Sequence, residues 1–103
     1  MITNMDSILS ERKSRYGLFA DNAATSQELK SVMRAAPGWG GLTPDMREAL
    51  EMVAHKISRI LHGDPCYADS WVDISGYATR VVEQLEPGGA GSGPGGLLLN
   101  GRG

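Results

Sequence analysis

The chain has 103 residues, a formal net charge of -2 and a single cysteine, Cys66. This length suits one small domain. The acidic balance argues against duplex DNA or anionic lipid as a partner. A single cysteine excludes an internal disulfide and a cysteine-rich zinc site. No leader pattern is present and no apolar run approaches the roughly 18 residues of a membrane span, so we expect a cytoplasmic protein with no membrane partner.

The first half of the sequence predicts two helices separated by a glycine. Apolar residues recur at helical spacing through MDSILSERKS, which indicates a short first helix. Gly17 permits a turn because glycine readily takes a positive φ angle. The helical pattern resumes at Asp21 or Asn22 and ends at Pro37, which predicts a second helix.

The strongest helix signal follows the glycine-rich linker PGWGGLTP. Thr43 suits the N-cap position, and Pro44 suits the first helical position, where its missing N–H costs nothing. We expect this helix to run to about His62, with Gly63 ending it. Its apolar residues fall within an arc of about 100°. They are Met46, Leu50, Val53, Ile57, Ile60 and Leu61.

A fourth helix is predicted from about Ala68 to Leu85. The stripe that it should bury comprises Trp71, Ile74, Ala78, Val81, Val82 and Leu85. Beyond Glu86 a glycine-rich and proline-rich segment holds too little apolar surface to offset the entropy of ordering, so residues 87–103 are expected to form a flexible, disordered tail. Residues 1–86 should form one all-α domain, a small four-helix bundle. A core of this size is marginal alone, which favours a homo-oligomer.

The third helix places Glu48 and Glu51 on one polar face with His55, opposite the apolar stripe. The ordinary interpretation is a solvated face whose i,i+4 pairs contribute a few tenths of a kcal/mol each. From the helix alone, this interpretation is the favoured one.

The last helix raises a second possibility, because Asp69 and Asp73 share one side of it. Like charges at this spacing repel, and Gly76 in a helix interior costs about 1 kcal/mol relative to alanine. One explanation is structural: Arg80 lies between the carboxylates, and Gly76 lets another helix approach closely. The other is that the acidic pairs of both helices converge on a divalent cation such as Mg²⁺, which prefers oxygen ligands.

The runs ILSERKSRYGLFADNA, EALEMVAHKISRILHGDP and YADSWVDISGYA resemble a family of small phage and prophage proteins, the domain of unknown function 6378. The resemblance covers about residues 8–85. It implies a phage context, and therefore the cytoplasm of a host cell, but no particular reaction.

A more distant similarity connects Glu48 and Glu51 to the E-x-x-E motif of MazG-like and dimeric dUTPase-type all-α nucleoside triphosphate pyrophosphohydrolases. That family carries E-x-x-D on the next helix and holds Mg²⁺ against a triphosphate. Asp69 and Asp73 depart from this motif because they lie four residues apart. The segment DISGY is also similar to the nucleotide-modification-associated domain of phage operons. These similarities imply a nucleotide partner and Mg²⁺ held by Glu48, Glu51, Asp69 and Asp73.

Basic and aromatic residues add candidates for contacts with a phosphate or a nucleotide. Lys56 and Arg59 follow the acidic pair by about one turn and can hold phosphates. The basic segment SERKSR precedes Tyr16, whose ring can stack on a base; the alternative is a solvated helix end with that ring packed on the core. The candidate ligand-binding residues are Arg15, Tyr16, Lys56, Arg59 and Tyr77.

Two functions of different class therefore remain open. The first is a Mg²⁺-dependent pyrophosphohydrolase, or a relative of one, acting on a nucleotide. The second is a non-enzymatic helical oligomer that binds a nucleotide signal or a host protein. The clustered carboxylates favour the first function, whereas the broken second motif and the small size favour the second.

Overall fold

The computed structural model describes residues 4–86, and this part of the chain is all-α. The predicted four-helix fold class is confirmed, whereas the predicted tail over 87–103 lies outside the described residues. The elements are α1 (Asn4–Tyr16), α2 (Phe19–Ala35), a 3₁₀ turn (Trp39–Gly41), α3 (Pro44–His62) and α4 (Ala68–Leu85). Within the described range, no helix has both the length and the apolar character needed to cross a membrane.

Local chemistry sets the ends of α3 as the sequence predicts. The hydroxyl of Thr43 accepts a hydrogen bond from the backbone N–H of Met46 at 3.3 Å, and Pro44 occupies the first turn. At the other end, the N–H of Gly63 donates to the carbonyl of Arg59 at 2.9 Å. The predicted bounds of α3 are therefore confirmed.

The start of α2 differs from the prediction. The helix begins at Phe19. Gly17 has a φ of 84° and completes the turn in one residue, so the chain can become helical again two residues later. Leu18 is the N-cap residue and makes no side-chain capping bond. Asn22 consequently lies inside the helix, where its N–H donates to the carbonyl of Leu18 at 3.0 Å, and its side chain is available for another role.

Helix α3 is the centre of the bundle and contacts the other three helices. Helix α2 runs antiparallel to it. Arg34 Nε lies 3.0 Å from Glu51 Oε2 near one end of this pair, and Thr25 Oγ1 lies 2.6 Å from His62 Nε2 near the other. These two contacts fix the register of α2 along α3.

Helix α4 packs on a different side of α3. Lys56 Nζ forms an ion pair with Asp73 Oδ2 at 3.0 Å. Lys56 follows Glu51, which faces α2, by five residues, or about 140° around the helix axis. Helices α2 and α4 therefore flank α3, and a wide arc of α3 remains between them on each side.

Small side chains fill the interior of the described part of the chain. Its buried apolar residues are Ala49 and Ala54, and Ser58 is completely buried. The predicted burial of the α4 stripe is wrong at several positions within the single chain: Trp71 is 54% exposed, and Val82 and Leu85 are exposed as well. The reason is that the flanking arrangement buries the narrow helix–helix contacts and leaves part of the apolar stripe facing outward.

The turn after α1 crosses the turn after α3. The N–H of Asp64 donates to the carbonyl of Arg15 at 2.8 Å. A Cβ atom on Gly17 would meet the His62 backbone, and one on Gly63 would meet the backbone of Arg15. Only glycine lets the two turns approach this closely, and the crossing fixes the end of α1 against α3.

Gly76 does not have the role predicted for it. A Cβ atom built at this position finds nothing within 4 Å. The expected close approach of another helix is therefore absent at this position in the described chain, and Gly76 simply lies on an exposed side of α4.

Candidate functional site

A basic cleft of about 390 Å³ opens where α1, α2 and α3 meet. We call it the α1–α3 cleft. Its charged walls are Arg12 and Lys13 from α1 and Arg59 from α3, and its lining contains no carboxylate among the described residues. The uniform sign of these charges makes the cleft suited to an anion.

The ring of Tyr16 is the centre of this basic cluster. The guanidinium carbon of Arg59 lies 4.3 Å from the ring centroid, and that of Arg12 lies 5.3 Å from it. Both distances are within the range of a cation–π interaction. The ring of Tyr67 meets Tyr16 edge-on, with centroids 5.8 Å apart. These contacts place both guanidinium groups against the Tyr16 ring in the lining of the cleft.

Asn22 lines the cleft, and its buried side chain carries an unsatisfied hydrogen-bond acceptor. Its Nδ2 donates to the carbonyl of Tyr16 at 2.6 Å. A carbonyl only accepts hydrogen bonds, so this contact fixes which end of the amide is the nitrogen. The residue is 5% exposed, and its Oδ1 has no hydrogen-bond partner. An unpaired buried acceptor costs about 1–3 kcal/mol.

His55 lies in the cleft one turn before Arg59. Burial lowers the pKa of His55, and the positive charges of Arg59, Lys56 and Lys30 lower it further. The imidazole is therefore mostly neutral at pH 7. A bound anion would reverse part of this effect, because a nearby negative charge favours the protonated ring.

Two of the predicted ligand-binding residues, Tyr16 and Arg59, are brought together in this cleft. Arg15 is not part of the lining. Its guanidinium lies 2.6 Å from Glu11 Oε2 and donates to the Tyr67 hydroxyl at 3.1 Å. This side chain therefore ties α1 to the loop before α4.

Lys56 and Tyr77 also lie outside the lining of the cleft. Lys56 forms the ion pair with Asp73 already described, and its side chain is 12% exposed. Tyr77 lies on α4 with the guanidinium carbon of Arg80 5.4 Å from its ring centroid. Both residues thus belong to α4 or to its packing against α3.

The predicted metal ligands are separated rather than gathered. Glu51 binds Arg34 on α2, and this hydrogen bond is the main cause of the lowered pKa of Glu51. Asp73 pairs with Lys56 on the side of α4. The two carboxylates are engaged on different sides of α3 and do not share a cation.

The remaining two predicted ligands do not complete a site. Asp69 Oδ2 accepts a hydrogen bond from the Tyr67 hydroxyl at 2.9 Å, and Glu48 is exposed on α3. Within residues 4–86, no group of three or more His, Cys, Asp and Glu side chains is placed to hold a metal ion. The residues present do not fit the Mg²⁺ site that the MazG-like similarity implies.

The sequence did not indicate three residues of the cleft. Phe19 and Asn22 come from α2 and His55 from α3, and the runs of sequence that contain them imply no role for these three residues. The helical pattern was expected to resume at Asp21 or Asn22, and His55 was expected on a solvated face. One signal was available in the sequence. Tyr16 lies between a basic segment and the turn at Gly17, so basic and aromatic side chains were to be expected together at that turn.

None of the protein-family models, curated proteins or solved structures compared with the chain matches it. The fold and the site therefore define the class of the protein by themselves. It is an all-α protein with a central helix and a basic, aromatic cleft at the junction of three helices.

Proposed function

We propose that this protein binds a small nucleotide in the α1–α3 cleft and does not hydrolyse it. The observation that carries the proposal is the pair of guanidinium groups of Arg12 and Arg59 over Tyr16 in a lining without carboxylates. Guanidinium groups bind phosphate oxygens through charge-assisted hydrogen bonds.

Another residue of the cleft supplies a contact for a base. Phe19 is 81% exposed beside the cleft, and an exposed aromatic face can stack on a base. A cleft of about 390 Å³ falls in the usual range for small molecules, roughly 300–1,000 Å³. These features favour a mononucleotide over a polynucleotide.

The alternative function, Mg²⁺-dependent hydrolysis, is less well supported. The cleft supplies no carboxylate to hold a metal ion or to act as a general base. His55 is a candidate base, but two arginines beside it favour binding of phosphate rather than activation of water. Retention of the nucleotide unchanged is the function that the lining supports better.

The experiment is isothermal titration calorimetry of the full chain with four probes. They are a nucleoside, inorganic pyrophosphate, the nucleoside monophosphate and the nucleoside triphosphate, each in EDTA and in Mg²⁺. We expect both nucleotides to bind more tightly than either the nucleoside or pyrophosphate, because only a nucleotide uses the cations and the aromatic ring together. Binding should persist in EDTA.

Chromatography of the incubated nucleotides decides between binding and hydrolysis. We expect the triphosphate to remain intact after long incubation with Mg²⁺. Binding of pyrophosphate as tight as that of the nucleotides would reduce the site to a general anion site. Mg²⁺-dependent release of pyrophosphate would overturn the non-enzymatic proposal.

A further inference from the structure

The bundle has a second surface of interest on the other side of α3, which we call the α3–α4 apolar face. A groove of about 300 Å³ runs between the two helices there, and its described lining consists of apolar residues. Met46, Leu50 and Val53 form the α3 wall, while Ala78 and Val81 form the α4 wall.

This face continues along α4 beyond the groove. Val82 follows Ala78 by four residues, and Leu85 follows Val81 by four, so both project on the same side of the helix. Leu85 is 62% exposed, and Leu50 on the α3 wall is 44% exposed. The groove and its extension thus make one contiguous apolar strip rather than scattered exposed side chains.

The described part of the chain has a small apolar core, which gives little stabilisation to offset the exposed apolar strip. Its buried apolar residues are Ala49 and Ala54, and no large apolar side chain is fully buried. Monomeric proteins rarely leave large contiguous apolar patches uncovered. Covering the strip would therefore add to the stability of a domain of this size.

We propose that a second copy of this chain covers the α3–α4 apolar face, with α3 and α4 of one copy packed on α3 and α4 of the other about a two-fold axis. The two helices have 19 and 18 residues, so the face is about 27 Å long and about 20 Å wide. Two such faces together present roughly 1,000 Å², the minimum expected of a biological interface and below the size of most stable ones.

A second copy fits this face better than an unrelated partner. The lining carries no charge that would select a partner of opposite sign. A second copy presents the same apolar strip, so a two-fold interface pairs the strip with itself. A second copy is also present wherever the protein is made. His55, in the α1–α3 cleft, lies two residues from Val53, or about 200° around α3. Pairing through the apolar face therefore leaves both clefts open to solvent.

The test is the molar mass of the full chain by size-exclusion chromatography with light scattering. The light-scattering molar mass of the wild type should be about twice the chain mass of 11.0 kDa. Leu50→Lys and Leu85→Lys should each shift the protein to monomer and lower its melting temperature. Val72→Lys is the matched control, because Val72 is an exposed apolar residue of α4 on a different side of the helix, and it should remain dimeric.

A second measurement keeps the proposal testable if the lysine variants fail to fold. The melting temperature of the wild type should rise with protein concentration, as mass action requires for a dimer. A monomeric wild type, or a monomeric Val72→Lys variant, would overturn the proposed interface. A full chain with serine at Leu97, Leu98 and Leu99 should stay dimeric; if it becomes monomeric, the tail mediates association instead.

Discussion

The backbone of Gly17 lies directly against the carbonyl group of His62, at the point where the α1–α2 turn crosses the end of α3. Gly17 also has a φ of 84°, a conformation that side chains with a Cβ atom disfavour. Two independent constraints therefore require glycine at this position.

We expect Gly17→Ala to lower the free energy of unfolding by about 2–4 kcal/mol, from backbone strain together with overpacking. Urea denaturation followed by circular dichroism measures the change. Gly76→Ala is the matched control, because a Cβ atom there meets nothing within 4 Å. It should raise the free energy of unfolding by up to about 1 kcal/mol. A tolerated Gly17→Ala would show that the two turns do not cross as described.

A second prediction concerns phosphate recognition by Arg12. Arg12→Gln should weaken nucleotide binding about 10-fold to 100-fold, because a charge-assisted hydrogen bond contributes about 1.5–3 kcal/mol. Arg80→Gln is the matched control: it removes the same charge, and Arg80 also lies over a tyrosine ring, that of Tyr77 at 5.4 Å. Equal weakening in both variants would mean that net charge, not the cleft, attracts the nucleotide.

A third prediction distinguishes an ion pair from a metal site at Glu51. Glu51→Gln removes the carboxylate that accepts a hydrogen bond from Arg34 at 3.0 Å, so it should lower stability slightly. The melting curves of variant and wild type should each be the same in EDTA and in Mg²⁺. Gathered carboxylates would behave in the opposite way, since neutralising one of them would raise stability without metal. Glu48→Gln, on the exposed side of α3, serves as the control.

The dependence of stability on pH should report His55. Burial and neighbouring cations hold its pKa below the ordinary value, so the unfolded chain binds the proton more readily than the folded one. Stability is then greatest above about pH 6.5 and falls as the pH drops through that value towards the lower pKa of the folded state. His55→Gln should flatten this part of the curve. Urea denaturation at a series of pH values measures it, and an unchanged slope in the variant would assign the effect to other groups.

The sequence predicted the helices better than it predicted their burial. Local signals determine helix ends, and the Thr43 cap with Gly63 as the breaker gave the bounds of α3 correctly. Burial depends on where neighbouring helices lie. Because α2 and α4 flank α3, the contacts bury Ala54 and Ser58, while Leu50 at the centre of the apolar stripe remains 44% exposed.

The candidate site shows the same limit. Tyr16 and Arg59 were identified from residue type, but their meeting depends on the crossing at Gly17, which brings the end of α1 onto α3. The predicted convergence of Glu51 and Asp73 failed for the complementary reason. Helical spacing places residues on one face of their own helix but does not say which neighbouring helix that face meets.

Helix α1 has 13 residues, and none of them is buried. It nevertheless supplies Arg12, Lys13 and Tyr16 to the cleft. A helix with so little buried surface opens locally at a lower cost in free energy than the other helices of the bundle. The observed affinity for a ligand is then the intrinsic affinity multiplied by the fraction of molecules with α1 docked. We expect amide hydrogens of α1 to exchange fastest in the free protein and to slow on nucleotide binding.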